Sequence, residues 1–307
     1  MLTVLEIIKR TTEFLASKGV EPPRLNAELL IGHALKRKRM QLYLEFERPL
    51  AEAELEQIRP LVRRRAQHEP LQYIIGSTDF HGLTLKVDRR ALIPRPETEL
   101  LVETVITAAV PPPQRILDLG TGSGAIALAL AQAFPEARVT AVDRSGDALA
   151  LAGENAAIFG LTERVTLLES NWFSAVPKGE RFDLIVANPP YLSAQETAES
   201  ALEVRGFEPL NALTAADAGL ADLREIIAEA PAFLAEGGLL ALETGIAHHA
   251  ALLALLNAAG FTGGESRKDL TGRDRFVLAR RVVSAPITTG SRNALKSCVP
   301  PAVTALG

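Results

Sequence analysis

The sequence holds a single cysteine, Cys298, in 307 residues. No disulfide can close within the chain, and a metal centre built on thiolates is excluded with it. A reducing compartment, the cytoplasm, is the expected setting. No run of 18 apolar residues occurs, so no membrane-spanning helix is expected. Met1 to Arg10 already carries Glu6, Lys9 and Arg10 and lacks the apolar core of a secretion signal. A basic surplus is also missing. Against 33 Lys and Arg stand 37 Asp and Glu, a net charge of −4, which argues against a duplex nucleic acid as a direct partner. The five histidines show no metal-ligand spacing, so no metal is expected, and His248-His249 reads as a solvated helix face.

What is present changes character near residue 75. Before it, apolar residues recur at helical spacing, as in Leu2, Leu5, Ile8 and then Leu25, Leu29, Leu30. Breaks at Pro22-Pro23, Pro49 and Pro70 suggest a bundle of about four helices over residues 1–75. This segment has 13 Lys and Arg against 10 Asp and Glu, a net of +3, which leaves −7 for the remainder. Residues 76–95 read as a β-hairpin followed by an extended connector with prolines at 94 and 96 closing it. From 96 to 281, helical patterns alternate with short apolar runs at 115–120, 138–143, 164–169, 182–187, 238–243 and 275–280. Such alternation predicts an α/β fold, a mostly parallel sheet covered on both faces. Residues 282–307 contain no acid and show no periodicity, and a disordered tail is expected there.

Leu117-Asp118-Leu119-Gly120-Thr121-Gly122-Ser123-Gly124 ends one predicted strand and opens a helix. Glycines in that place let a ligand approach the backbone amides of a helix N-terminus. Alone, the spacing would also suit a dinucleotide. Yet Asp118 stands beside the loop and no Lys or Arg lies between 116 and 137, which favours a ligand with cationic groups over a pyrophosphate. Asp143 ends the next strand, where an acid accepts hydrogen bonds from ribose hydroxyls; the alternative is a cap on the following helix. Trp172 is either a wall of an adenine site or core packing. Arg95 is either a cofactor contact or a surface ion pair.

The most specific signal is Asn188-Pro189-Pro190-Tyr191, directly after the apolar run Phe182–Ala187. Two successive prolines stiffen the turn. An amide or amino nitrogen is a poor nucleophile and must be held in line with an electrophilic carbon, about 3 Å away. The Asn188 side-chain oxygen and the Pro189 carbonyl can each accept one N–H, and Tyr191 offers an aromatic face. Asn188, Pro189 and Tyr191 are therefore the expected catalytic residues.

With these motifs the sequence resembles the peptide chain release factor glutamine methyltransferases, the HemK/PrmC family, from about residue 20 to 281. Glu69 to Gly76, Phe80-His81-Gly82-Leu83, Leu92 to Glu99, Glu203-Val204-Arg205, Glu208-Pro209 and Gly272-Arg273-Asp274-Arg275 carry the likeness beside the glycine loop and the Asn-Pro-Pro-Tyr turn. The resemblance implies a seven-stranded, Rossmann-like class I methyltransferase domain preceded by a small helical bundle and a β-hairpin. It implies S-adenosylmethionine as cofactor, held by Gly120, Thr121, Gly122, Ser123, Gly124, Asp143, Trp172 and Asn188. It implies that Asn188, Pro189, Pro190 and Tyr191 bind the glutamine of a release factor's Gly-Gly-Gln motif. A monomer is expected. Asn171 and Thr244 depart from the family pattern. Rival readings are glutamine methylation of a ribosomal protein, methylation of an exocyclic base amine, and a non-catalytic or dinucleotide-binding module.

Overall fold

The computed structural model describes residues 2–282, so the expected tail, beyond Val282, lies outside the described residues. Five helices open the chain: α1 Val4–Ser17, α2 Pro23–Leu35, α3 Arg39–Leu44, α4 Glu52–Ala66 and α5 Leu71–Ile75. Each expected proline break is used. Pro23 starts α2, Pro49 precedes α4, and Pro70 is the N-cap of α5, the places where a missing N–H is harmless. Thr3 and Glu6 form a capping box on α1, satisfying two donors that the first turn leaves free. Val4, Ile8, Leu15, Leu30, Ile31, Leu42 and Ile58 close the bundle's own core.

The hairpin strands β1 Ser77–Phe80 and β2 Leu83–Lys86 pair antiparallel. Phe80, Leu83 and Leu85 point into the main core of the next unit, so the hairpin packs as part of it. Asn155 clips it in place, accepting from the Lys86 N–H at 2.8 Å and donating to the Lys86 carbonyl at 3.0 Å and the Ser123 carbonyl at 2.9 Å.

Helix α6 Pro96–Ala108 leads into β3 Arg115–Leu119, α7 Ala125–Ala133, β4 Arg138–Asp143, α8 Gly146–Ile158, β5 Val165–Glu169 and β6 Phe182–Ala187. Short helices α9 Ala194–Glu199, α10 Leu202–Phe207 and the single turn α11 Ala216–Gly219 follow, then α12 Ala221–Glu229, β7 Leu234–Glu243, α13 His249–Ala258, β8 Phe261–Lys268 and β9 Asp274–Arg281. The sheet has seven strands in the order β5-β4-β3-β6-β7-β9-β8, parallel except at β9, which runs antiparallel to both neighbours.

Apolar patterning locates six of these strands and misses β8. As an edge strand it buries only Phe261 and shows no apolar alternation. Strand β7 starts four residues earlier than its pattern suggests. Around Gly237-Gly238 the pairing with β6 shifts register and the strand continues through it. The three small helices between β6 and α12 carry too few apolar residues to register as periodic. After β5 the chain crosses back over β3 to add β6 on its other side. This reversal opens a crevice at the carboxyl ends of β3, β4 and β6, the place where open α/β sheets bind ligands.

Candidate active site

The glycine loop leaves the end of β3 with Gly120, Gly122 and Gly124 all in the left-handed region, at φ of +72°, +55° and +85°, where side chains are strained. At Gly120 even the space is taken. A Cβ there would lie 3.3 Å from the tip of the Trp172 ring. Asp118 lies beneath the loop, fully buried, accepting from the Thr121 hydroxyl at 2.6 Å and the Ala127 N–H at 3.1 Å. Its Oδ1 has no partner among the described residues, and burial pushes the carboxyl up to about 7.

Asp143, at the end of β4, accepts from the Gly122 N–H and the Ser145 N–H, both at 2.9 Å. It is not the N-cap of α8. Ser145 holds that position, its hydroxyl accepting from Ala148 N–H. Asp143 thus braces the glycine loop and keeps lone pairs facing a cavity of about 270 Å³. Gly120, Gly122, Asp143, Trp172, Asn188 and Pro190 all line this cavity. Trp172 adopts φ +46°, rare for a bulky residue. It serves both readings at once, packing on the core beside β6 and walling the cavity.

Asn188 opens the turn after β6. Its Nδ2 donates to the Thr98 hydroxyl at 3.0 Å, and Thr98 donates to Glu243 Oε2 at 2.8 Å. The Tyr191 hydroxyl donates to Glu243 Oε1 at 3.1 Å, with the Arg275 guanidinium 5.4 Å from the Tyr191 ring centre. Asn188 Oδ1 has no protein partner among the described residues. Glu243 is wholly buried, and burial raises its carboxyl above the usual range.

The model of the PrmC N-terminal domain family matches residues 6–76, and that of the methyltransferase small domain matches 96–204. The release factor glutamine methyltransferase of Chlorobaculum tepidum is 46% identical over 252 residues, covering 78% of this chain and 85% of that protein. That of Geobacter sulfurreducens is 43% identical over 279 residues, covering 91% and 96%. The chain belongs to the release factor glutamine methyltransferase family. A methyltransferase of Pyrococcus furiosus shares the fold, with a TM-score of 0.50 at 19% identity over 66% of this chain and 90% of that one. Among the described residues no helix is long and apolar enough to cross a membrane.

Within this family member the residues present suit S-adenosylmethionine. Two bare glycine backbones, a tryptophan wall and an acid at the second strand end match its adenosine, while Asp147, Arg89 and Arg144 in the cavity lining offer partners for its ammonium and carboxylate.

Several expectations need correction. In the sequence, Asp118 and the absence of basic residues around the loop favour a cationic ligand. Asp118 is buried below the loop and does not line the cavity, whereas Arg89, Arg90 and Arg144 do, brought there by the connector and the end of β4. Thr121 and Ser123 are buried braces outside the cavity lining, as is Gly124, whose backbone packs on Ala152. Pro189 and Tyr191 also stand outside that lining. Arg95 donates to the buried Glu208 at 2.7 Å and lies outside the lining, an ion pair rather than a cofactor contact. His248-His249 is no solvated face. His249 is buried between the hydroxyls of Thr244 and Ser266, and His248 lies against the Ala218 carbonyl; among the described residues no metal cluster forms. Sequence reasoning missed Thr98 and Glu243. The only signal for Thr98 was its place in the stretch Leu92 to Glu99.

Proposed function

We propose that this protein transfers a methyl group from S-adenosylmethionine to the side-chain amide nitrogen of the glutamine in the Gly-Gly-Gln motif of peptide chain release factors. The observation that carries this reading is Asn188, the first residue of the Asn-Pro-Pro-Tyr turn, which lines the cavity together with the glycine loop and whose Oδ1 has no partner among the described residues. When bound, S-adenosylmethionine supplies an electrophilic methyl carbon. Gly120, Gly122, Asp143 and Trp172 hold it. Asn188 Oδ1 and the Pro189 carbonyl each accept one N–H of the glutamine amide, fixing its plane and favouring the positive charge that grows on nitrogen. Pro190 stiffens the turn, and the Tyr191 ring packs beside the side chain. The methyl's bond to sulfur would break as its bond to nitrogen forms, and the nitrogen would shed one N–H proton to water.

The helical residues 1–75 select the protein substrate, 76–95 join the units, and 96–281 carry the chemistry. Support comes from a groove between α1 and α4, floored by Ile7, Phe14, Ile58 and Val62 and rimmed by Arg10 and Arg63. The basic stretches Lys36-Arg37-Lys38-Arg39 and Arg63-Arg64-Arg65 are only partly available for this role. Arg37 pairs with Glu45, Arg39 with Glu28, Arg64 with Glu69 and Arg65 with Glu203. The protein acts as a cytoplasmic monomer without direct nucleic acid contact. Incubation with labelled S-adenosylmethionine and a purified release factor, followed by mass spectrometry, tests the reading. A methyl on the Gly-Gly-Gln glutamine is expected, and label elsewhere or nowhere would overturn it.

A further inference from the structure

Asn188 can serve as an acceptor for an NH₂ group only if its amide is turned the right way. Flipped by half a turn, it would present Nδ2, a donor, against two other donors, and would suit a carbonyl instead. The shapes of the two ends are nearly identical, so packing cannot decide between them. The surrounding hydrogen bonds can.

The chain of donors starts at Glu243, at the carboxyl end of β7 beside β6. Both of its oxygens act as acceptors, Oε1 toward the Tyr191 hydroxyl at 3.1 Å and Oε2 toward the Thr98 hydroxyl at 2.8 Å. As a carboxylate, with the positive charge of Arg275 opposing the rise that burial causes, Glu243 can only accept, so it takes the one Thr98 hydroxyl proton. The Thr98 oxygen is left with lone pairs only, so whatever faces it must donate. The atom 3.0 Å away is Asn188 Nδ2. The reverse orientation would set Oδ1 against an oxygen with no proton to share, an unsatisfied contact in a site from which water is excluded: Thr98 is 4% exposed and Glu243 0%. Thr98 is fixed in turn as the third residue of α6, its N–H bonded to the Arg95 carbonyl at 3.0 Å.

We infer that Thr98 and Glu243 are positioning residues for the methyl transfer, locking the Asn188 amide so that Oδ1 faces the acceptor nitrogen. The lock sets specificity as well as rate, because it makes the site complementary to a group that brings two donors. Neither residue lines the cavity, so both act through Asn188. The inference rests on the proposed reading that an amide NH₂ is the methyl acceptor.

The test uses the full-length protein, S-adenosylmethionine and a release factor. Methylation by the wild-type protein establishes the reading itself. The contrast between Thr98→Val and Thr98→Ser then addresses only the lock. Val keeps the shape and removes the hydroxyl; Ser keeps the hydroxyl. Thr98→Val should lower kcat by about 10- to 100-fold, the scale of a misplaced contact, with KM for the release factor and Kd for the cofactor within about threefold of wild type. Thr98→Ser should recover most of the rate. If both variants lose the same rate, or if Thr98→Val retains kcat, the hydroxyl does not set the orientation and the inference fails. Should Thr98→Val not fold, Thr98→Ala decides: it also removes the hydroxyl, so kcat should drop about tenfold or more at unchanged cofactor Kd, and an unchanged kcat overturns the lock.

Discussion

Replacing Asp143 by Ala separates two jobs that one carboxylate performs. In the protein alone it accepts from the backbone N–H of Gly122 and of Ser145, each at 2.9 Å. In the proposed reading its remaining lone pairs, toward the cavity, accept ribose hydroxyls. The fold should survive the change, because α8 is capped by Ser145 and the two freed N–H groups border a cavity that water can enter. Hydrogen bonds to a charged acceptor are worth about 1.5–3 kcal/mol. Losing them on the ligand side should raise the cofactor Kd by roughly 10- to 150-fold. Loss of the loop brace would weaken binding as well, so affinity alone does not separate the two. A cycle does. Calorimetric titration of wild-type and Asp143→Ala protein with S-adenosylmethionine and with its 2′-deoxy analogue should show the missing hydroxyl costing the wild-type protein about tenfold and the variant almost nothing, a coupling of about 1 kcal/mol or more. If the analogue is penalised equally in both proteins, Asp143 does not hold that hydroxyl and only braces the loop.

Asn188→Ala removes the acceptor itself and should reduce turnover on the order of 10²-fold or more with a much smaller change in cofactor Kd; turnover within about threefold of wild type would remove Asn188 from the mechanism. Asp118, raised by burial to about 7, binds a proton more readily folded than unfolded. Its contribution to stability is therefore present at pH below about 4 and lost as pH rises toward 7. Thermal unfolding of Asp118→Asn across that range should show a flatter pH dependence than wild type, and identical slopes would refute the assignment. Arg10→Glu with Arg63→Glu, on the rim of the α1–α4 groove, should raise KM for the release factor by about tenfold at low salt and less at high salt, leaving cofactor Kd unchanged. An unaltered KM would place substrate recognition elsewhere.

The local motifs were legible in the sequence because each performs its work through a few consecutive residues. Three glycines at alternate positions need no distant partner to adopt positive φ, and Asn188-Pro189-Pro190 stiffens its own backbone. The apolar strands Ile116–Leu119 and Phe182–Ala187 announce themselves because burial on both faces demands continuous apolar runs. The edge strand β8 does not, since it is buried on almost no face. The tertiary structure alone decided everything that depends on residues meeting across the chain. Arg89 and Arg144 reach the cavity beside the glycine loop although no basic residue lies in the loop, His249 is drawn inside by two hydroxyls, and Arg95 is tied to a glutamate 113 positions away. The orientation of Asn188 belongs here too. It is set by Thr98, 90 positions earlier, and through it by Glu243. A hydrogen bond records only the distance and direction between two atoms, and chain folding, which brings α6, β6 and β7 together at one end of the sheet, is what fixes both.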